Sequence, residues 1–293
     1  MTRGPVRSEN TLNWPRLAPR PVAGVPDPRH ADPATQRALG AAFVADPAGA
    51  VLVDQVSAVV RGTGAVVVGN APTDDDLALV SFAAALGPIE TAGNDGVGRL
   101  VSEVRYRSAD RGPLSARASD FPPHTDLAFS GVPCSVVLLA CVREDADLRG
   151  ATVLLPARAI LAGLSAADRS ALAHPWYRLE SVGGGAGTWQ PVLYGEGGAE
   201  RIQFRDDPRN WVAARPDRTE AIRAVAALRS AIDRAGSTRF VLRAGQILVF
   251  DNDRMLHGRD AYAPGGDRWL RRVRVSRLER ARGEQQRARG DQR

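Results

Sequence analysis

Residues 246–259 read Gln-Ile-Leu-Val-Phe-Asp-Asn-Asp-Arg-Met-Leu-His-Gly-Arg. The apolar run Ile247–Phe250 has the length of a buried strand, and Asp251-Asn252-Asp253 is a turn cluster. The stretch therefore reads as a strand that reverses and delivers His257 beyond the turn. Similar short strands surround it: Gly64–Gly69, Leu100–Tyr106, Val132–Val142, Ala151–Leu155, Arg239–Leu242 and Arg271–Leu278. Helical spacing is confined to a few places. These are residues 46–61, Thr73–Gly87 with Thr73-x-x-Asp76 as its opening, a short helix from Ser165, and Asp217–Gly236, where Ile222, Val225, Leu228 and Ile232 repeat.

No repeat or linker divides the chain, and no Gly-rich turn joins a strand to a helix, which argues against a dinucleotide-binding α/β sheet. The predicted fold is mainly β with flanking helices (α+β): a double-stranded β-helix, or jelly roll, with helices packed outside. Seven of the 20 prolines lie in the first 35 residues. Residues 1–45 are accordingly expected to form an arm along the body, 46–278 a single jelly-roll domain, and 279–293 an Arg-rich tail without fixed structure.

The net charge is +6, and all 39 basic residues are Arg. Arg274–Arg293 holds seven Arg and three acids, a net of +4, which leaves +2 for the rest. A near-neutral body with 5% aromatic residues does not suit a nucleic-acid face. The two cysteines, Cys134 and Cys141, exclude a disulfide scaffold and a Cys-rich zinc site, and fit a reducing cytoplasm. No apolar run approaches the roughly 20 residues of a membrane helix. The opening Met-Thr-Arg-Gly-Pro has no apolar segment behind it, so no secretory signal is expected.

There are four histidines. His30 in the Pro-rich arm and His174 before Pro175 read as surface or capping residues. His124-Thr125-Asp126 is different. On a strand, alternate residues point to one face, so its imidazole and carboxylate converge. With His257 they make a two-histidine, one-carboxylate face of the kind that holds Fe(II) and leaves coordination positions open. A His-x-acid triplet arises by chance about once in two chains of this composition. The strand, turn and His257 downstream add the weight. Arg268 and Arg272, four apart on a predicted strand, point to one side. A guanidinium fork fits a carboxylate, and a buried Arg beside such a face would anchor the far carboxylate of 2-oxoglutarate.

In four segments the chain resembles the taurine dioxygenase/clavaminate synthase-like family of Fe(II)/2-oxoglutarate oxygenases. They are Pro123-His124-Thr125-Asp126-Leu127, Gly150-Ala151-Thr152, residues 248–259, and Asp267-Arg268-Trp269-Leu270-Arg271-Arg272. Order and spacing match from Leu77 to Leu278. The resemblance implies that His124, Asp126 and His257 bind iron. It implies that Thr152 and Arg268 hold 2-oxoglutarate and that Arg272 meets an anionic group of the substrate. Asp126 as the carboxylate is similar to the taurine dioxygenase branch, whereas Asp-Arg-Trp-Leu is similar to the clavaminate synthase branch and the 251–259 stretch to the butyrobetaine hydroxylase branch. Its presence argues against halogenation.

The implied reaction uses O2 and 2-oxoglutarate to hydroxylate an unactivated C–H of a small polar, carboxylate-bearing substrate, releasing succinate and CO2. An amino acid or biosynthetic intermediate, free or tethered to a carrier protein, is expected. The alternatives are desaturation or cyclisation in secondary metabolism, and a non-catalytic metal-binding or sensor barrel, which would need no Arg268. Neither a membrane nor a nucleic acid is an expected partner. Loops Thr91–Gly98, Arg105–Pro122 and Ser181–Gln190 are expected to set specificity, with Gly183–Gly187 either a lid or a disordered excursion.

Overall fold

In the computed structural model, which describes residues 11–17, 27–91, 98–107, 114–132, 134–182, 187–195 and 200–278, the Asp-Pro pairs at 32–33 and 46–47 each start a helix. The elements are β1 (Thr11–Asn13), α1 (Pro33–Ala45), α2 (Pro47–Thr63), β2 (Ala65–Gly69), α3 (Asp76–Leu86), β3 (Ser102–Arg105), β4 (Phe121–His124), β5 (Val136–Arg143), β6 (Thr152–Pro156) and α4 (Ala157–Leu161). They continue with α5 (Ala166–Leu172), β7 (Tyr177–Ser181), β8 (Leu193–Tyr194), β9 (Arg201–Ile202), β10 (Asn210–Ala214), α6 (Thr219–Arg234), β11 (Thr238–Phe240), β12 (Gln246–Asp251), β13 (Met255–Arg259) and β14 (Trp269–Val275).

Two sheets face each other. The larger has the order β1-β2-β12-β5-β14-β3, and the smaller β11-β6-β13-β4. Period-two alternation explains how each strand serves two layers. In the larger sheet Val66, Val68, Leu138, Ala140, Ile247, Val249, Val273 and Val275 pack with α1, α2 and α3 in one apolar cluster. The residues between them, Val67, Val137, Leu139, Cys141, Leu248, Phe250 and Leu270, pack with Leu154 of the smaller sheet. The far face of that sheet, Val153, Leu155 and Leu256, is covered by α4, α5 and α6. The result is the expected double-stranded β-helix, with helices outside both sheets.

The arm expected over residues 1–45 contains a helix. Asp32 accepts from the Ala34 and Thr35 amides at 2.8 and 2.9 Å, and Pro33 occupies the first helical position, a start signal that the proline count obscured. Leu39 and Phe43 of α1 are buried with α3. Upstream, β1 runs parallel to β2 at the sheet edge, and Trp14 packs edge-on against Phe43 and Phe82. Residues 279–293 lie outside the described residues.

Other boundaries also moved. Asp75, not Thr73, caps α3, accepting from Leu77 and Ala78. Asp217 pairs with Arg215 and leaves α6 without a side-chain cap. β5 starts at Val136, four residues later than expected; residues 127–132 and 134–135 lie outside the strands. Cys134 therefore lies before the strand, and both thiols are free and buried. No single helix among the described residues is long and apolar enough to cross a membrane.

Candidate metal centre and carboxylate pocket

His124 ends β4 and stands in register with His257 on β13. The imidazole centroids are 4.2 Å apart. Phe121 stacks on His124 at 3.9 Å, and the Phe250 ring lies 4.8 Å from His257. His124 Nδ1 lies 2.9 Å from the Pro122 carbonyl oxygen. A proton donated there leaves Nε2 with its lone pair, the arrangement that suits a metal ligand.

Asp126 is not on the strand that the alternation argument assumed. β4 ends at His124, and the chain leaves it through Leu127 and Phe129, which have φ of 56° and 60°. Such left-handed positions are rare for these residues and cost on the order of 1–3 kcal/mol each. Side chains hold the loop. Phe129 N donates to Gln203 Oε1 at 2.7 Å, and Gln190 Nε2 donates to Phe129 O at 3.2 Å. Asn252, in the turn between β12 and β13, accepts from Asp126 N at 2.8 Å and donates to Asp126 O at 3.1 Å and Cys134 O at 2.8 Å.

The predicted triad converges by this route. One ligand atom from each of His124, Asp126 and His257 lies within 4.8 Å of the others, and all three residues are buried. Asp126 Oδ1 is 3.6 Å from both His124 Nε2 and His257 Nε2. Those separations accommodate an ion with bonds of about 2.0–2.2 Å. Two imidazoles and a carboxylate suit ferrous iron, so the donor set fits the implied metal. Burial would raise the Asp126 carboxyl, but Arg272 and Arg274 outweigh it and hold it well below the usual carboxylate range. Burial and the adjacent His124 push His257 well below the ordinary imidazole value. The groups are thus poised as carboxylate and neutral imidazole.

β14 supplies the cations. Where the adjacent β5 carries Leu139 and Val137 on the inner face, β14 carries Arg272 and Arg274 in register with them, both buried. Arg272 Nη1 is 3.2 Å from Asp126 Oδ2 and 3.3 Å from Oδ1. Arg274 Nε donates to Oδ2 at 2.7 Å. Arg272 was expected to meet substrate; here it lies against the carboxylate of the triad.

Arg268, at the entrance to β14, is 6% exposed, and its Nη1 has no hydrogen-bond partner. Burial lowers its pKa. Its guanidinium carbon sits 5.4 Å from the centroid of Tyr262, and that of Arg259 4.7 Å from the same ring. Arg259 is tethered by the Arg117 and Ser119 carbonyl oxygens at 2.7 and 2.5 Å. Gly150, at φ 68°, lies under the Arg268 stem: a Cβ there would come within 3.1 Å of Arg268 Cδ and Nε. Thr152, two residues on, is buried and in register with Arg259 and Phe240. A buried guanidinium whose Nη1 lacks a hydrogen-bond partner, over such a cradle, fits the far carboxylate of 2-oxoglutarate.

Sequence reasoning missed Arg274, Asn252 and Arg259 as site residues. Arg274 shares the parity of Arg268 and Arg272, a signal available in the sequence. Nothing local marks Asn252 as the partner of a residue 126 positions away. His30 and His174 stay outside the site: His30 Nδ1 lies 3.1 Å from Asp27 Oδ2, and His174 Nδ1 lies 2.8 Å from Ser170 O. Of the expected specificity loops, residues 92–97, 108–113 and 183–186 lie outside the described residues, the last holding most of the Gly183–Gly187 lid.

A double-stranded β-helix that gathers two histidines and a carboxylate inside defines the fold class of the non-haem iron oxygenases. The chain belongs to the taurine catabolism dioxygenase TauD, TfdA family, whose profile matches residues 31–274. Among solved structures it is similar to an asparagine oxygenase in complex with Fe(II), 2S,3S-3-hydroxyasparagine and succinate. That likeness has a TM-score of 0.73 at 22% identity over 91% of this chain and 93% of the other. It is also similar to the non-heme iron oxygenase OrfP in complex with Fe, succinate and (3S)-hydroxy-L-Arg, with a TM-score of 0.67 at 26% identity over 86% and 87%. An L-lysine 3-hydroxylase of Catenulispora acidiphila is 32% identical over 157 residues. That match spans 51% of this chain and 43% of the relative, under half its length.

Proposed function

We propose that this chain is an Fe(II)/2-oxoglutarate-dependent dioxygenase of the cytoplasm that hydroxylates an unactivated C–H of a small polar, carboxylate-bearing substrate, an amino acid or an intermediate derived from one. The observation that carries this reading is a buried cluster of His124, Asp126 and His257 inside the same barrel as Arg268, a buried guanidinium with an unpartnered Nη1. A ferrous ion held by these residues would supply the oxidation, with 2-oxoglutarate and O2 as co-substrates and succinate and CO2 as products.

The protein supplies positions and a dry site. His124 and His257 hold the ion through Nε2, and Asp126 through its carboxylate. Arg268 and Thr152 take the far carboxylate of 2-oxoglutarate. Arg272, within reach of Asp126, offers a cation to the substrate carboxylate next to the metal. The Phe121 and Phe250 rings wall the two imidazoles and keep water from them. An amino-acid substrate is supported by the relatives, whose names or complexes carry asparagine, arginine and lysine chemistry. Two buried free thiols agree with a reducing compartment.

The test is an anaerobic titration of the metal-free protein with Fe(II) and 2-oxoglutarate, following the visible charge-transfer band of the chelate. A band that is lost in His257→Ala and needs far more 2-oxoglutarate in Arg268→Ala supports the reading. Succinate release over a panel of amino acids then identifies the substrate. A folded protein that gives no band overturns it.

A further inference from the structure

We infer that Arg274 is a positioning residue that commits Asp126 to bind the metal through Oδ1 alone. The inference rests on the metal-centre reading above. The two carboxylate oxygens of Asp126 face different partners. Oδ1 is 3.6 Å from each histidine Nε2, whereas Oδ2 receives the Arg274 Nε proton at 2.7 Å. A carboxylate free to turn about its Cβ–Cγ bond could chelate an ion with both oxygens. That would consume a coordination position that the co-substrates need. A charge-assisted hydrogen bond on Oδ2 closes that option.

Arg272 cannot do the same work. Its Nη1 is shared between Oδ2 at 3.2 Å and Oδ1 at 3.3 Å, so a cation arriving at Oδ1 competes with it. Arg274 donates to Oδ2, leaving Oδ1, the oxygen 3.6 Å from both histidines, for the metal, so its bond is compatible with metal binding there. Its placement is also firm. β14 is hydrogen-bonded on both sides, to β5 and β3, and Arg274 is in register with Val137. The main chain of Asp126 is tied separately, by Asn252 at the opposite sheet junction. Backbone and carboxylate are thus fixed by two different elements, which is how an outer partner orients a ligand.

The choice of variant follows from the donor atom. Gln Nε2 sits at the same number of bonds from Cα as Arg Nε, so Arg274→Gln can keep the N–H to Oδ2 without the charge. Arg274→Met fills similar space with no donor. The experiment titrates the full chain, without 2-oxoglutarate, with Co(II), reading the visible d–d spectrum and the affinity by calorimetry. Circular dichroism checks the fold of each variant.

Arg274→Met is expected to lose about 10–100-fold in Co(II) affinity and to change the band shape. Arg274→Gln is expected to keep the wild-type spectrum and most of the affinity. Arg274→Met behaving as wild type would overturn the inference, and so would a folded Arg274→Gln with a changed spectrum. The second variant decides the matter if the first fails to fold. Wild-type protein that takes up no Co(II) would overturn the metal-centre reading itself, and this inference with it.

Discussion

His124 and His257 face each other in register across β4 and β13, with both Nε2 atoms 3.6 Å from the same atom, Asp126 Oδ1. β13 is hydrogen-bonded on its other side to β6, so its position does not depend on the imidazole. His257→Ala should therefore fold and lose metal affinity by more than the roughly 10–100-fold typical of an outer partner. Competition of folded protein with a ferrous chelator measures this; an affinity within tenfold of wild type would exclude His257 as a ligand.

Arg268 separates binding from stability. Its Nη1 is buried without a partner, so the cation costs the metal-free fold desolvation and returns no ion pair through that atom. Arg268→Ala should raise the KM for 2-oxoglutarate by roughly 10–150-fold, the equivalent of about 1.5–3 kcal/mol for a charged hydrogen bond. The melting temperature of the metal-free protein should not fall. A parallel drop in stability would show that Arg268 serves the fold instead.

Asn252 should behave in the opposite way. Asn252→Ala removes hydrogen bonds to Asp126 N, Asp126 O and Cys134 O, leaving a buried amide unsatisfied. A loss of about 2–4 kcal/mol in denaturant unfolding is expected, together with weaker metal binding. Unfolding at the wild-type midpoint would contradict the assigned role.

The thiols set an alkaline limit on the fold. Burial pushes Cys141 up to about 12, and burial raises Cys134 further. Between about pH 9 and 12 the unfolded chain releases thiol protons that the folded chain keeps. Stability therefore falls with rising pH across that window, by about 1.4 kcal/mol per pH unit for each thiol. Melting curves from pH 8 to 11 should show a shallower decline in Cys141→Ser. A thiol reagent should label neither cysteine until the protein unfolds.

Gly40 of α1 packs directly against the backbone of α3. A Cβ at this position would lie 2.7 Å from the Ala84 carbonyl carbon and oxygen, which belong to the backbone. Gly40→Ala should destabilise the protein by about 1–3 kcal/mol, because backbone must shift. Equal or greater stability in a denaturant melt would mean that the helices part freely.

The strand, turn and His257 of residues 246–259 were legible because each depends on neighbours in the chain: an apolar run, a polar turn and a fixed spacing. His124 and Asp126 were legible for the same reason, although the strand assumed to align them ends at His124. The parity of Arg268 and Arg272 on β14 was readable from a period of two. Helix α1 was legible in principle from Asp32-Pro33 and was obscured by the prolines around it.

Local sequence alone thus does not identify α1 or the short strands β1, β4 and β7–β10, but it identifies the apolar strands and amphipathic helices that have clear spacing, and the kinds of side chain carried near His124, His257 and Arg268. Tertiary structure decided their partners. Strand order put β14 beside β5, so Arg274 reached Asp126, 148 positions earlier in the chain. The β12–β13 turn put Asn252 under the Asp126 backbone, and the approach of Gly150 left the Arg268 guanidinium buried. Each of these contacts depends on how the two sheets pack, and local spacing carries no record of that.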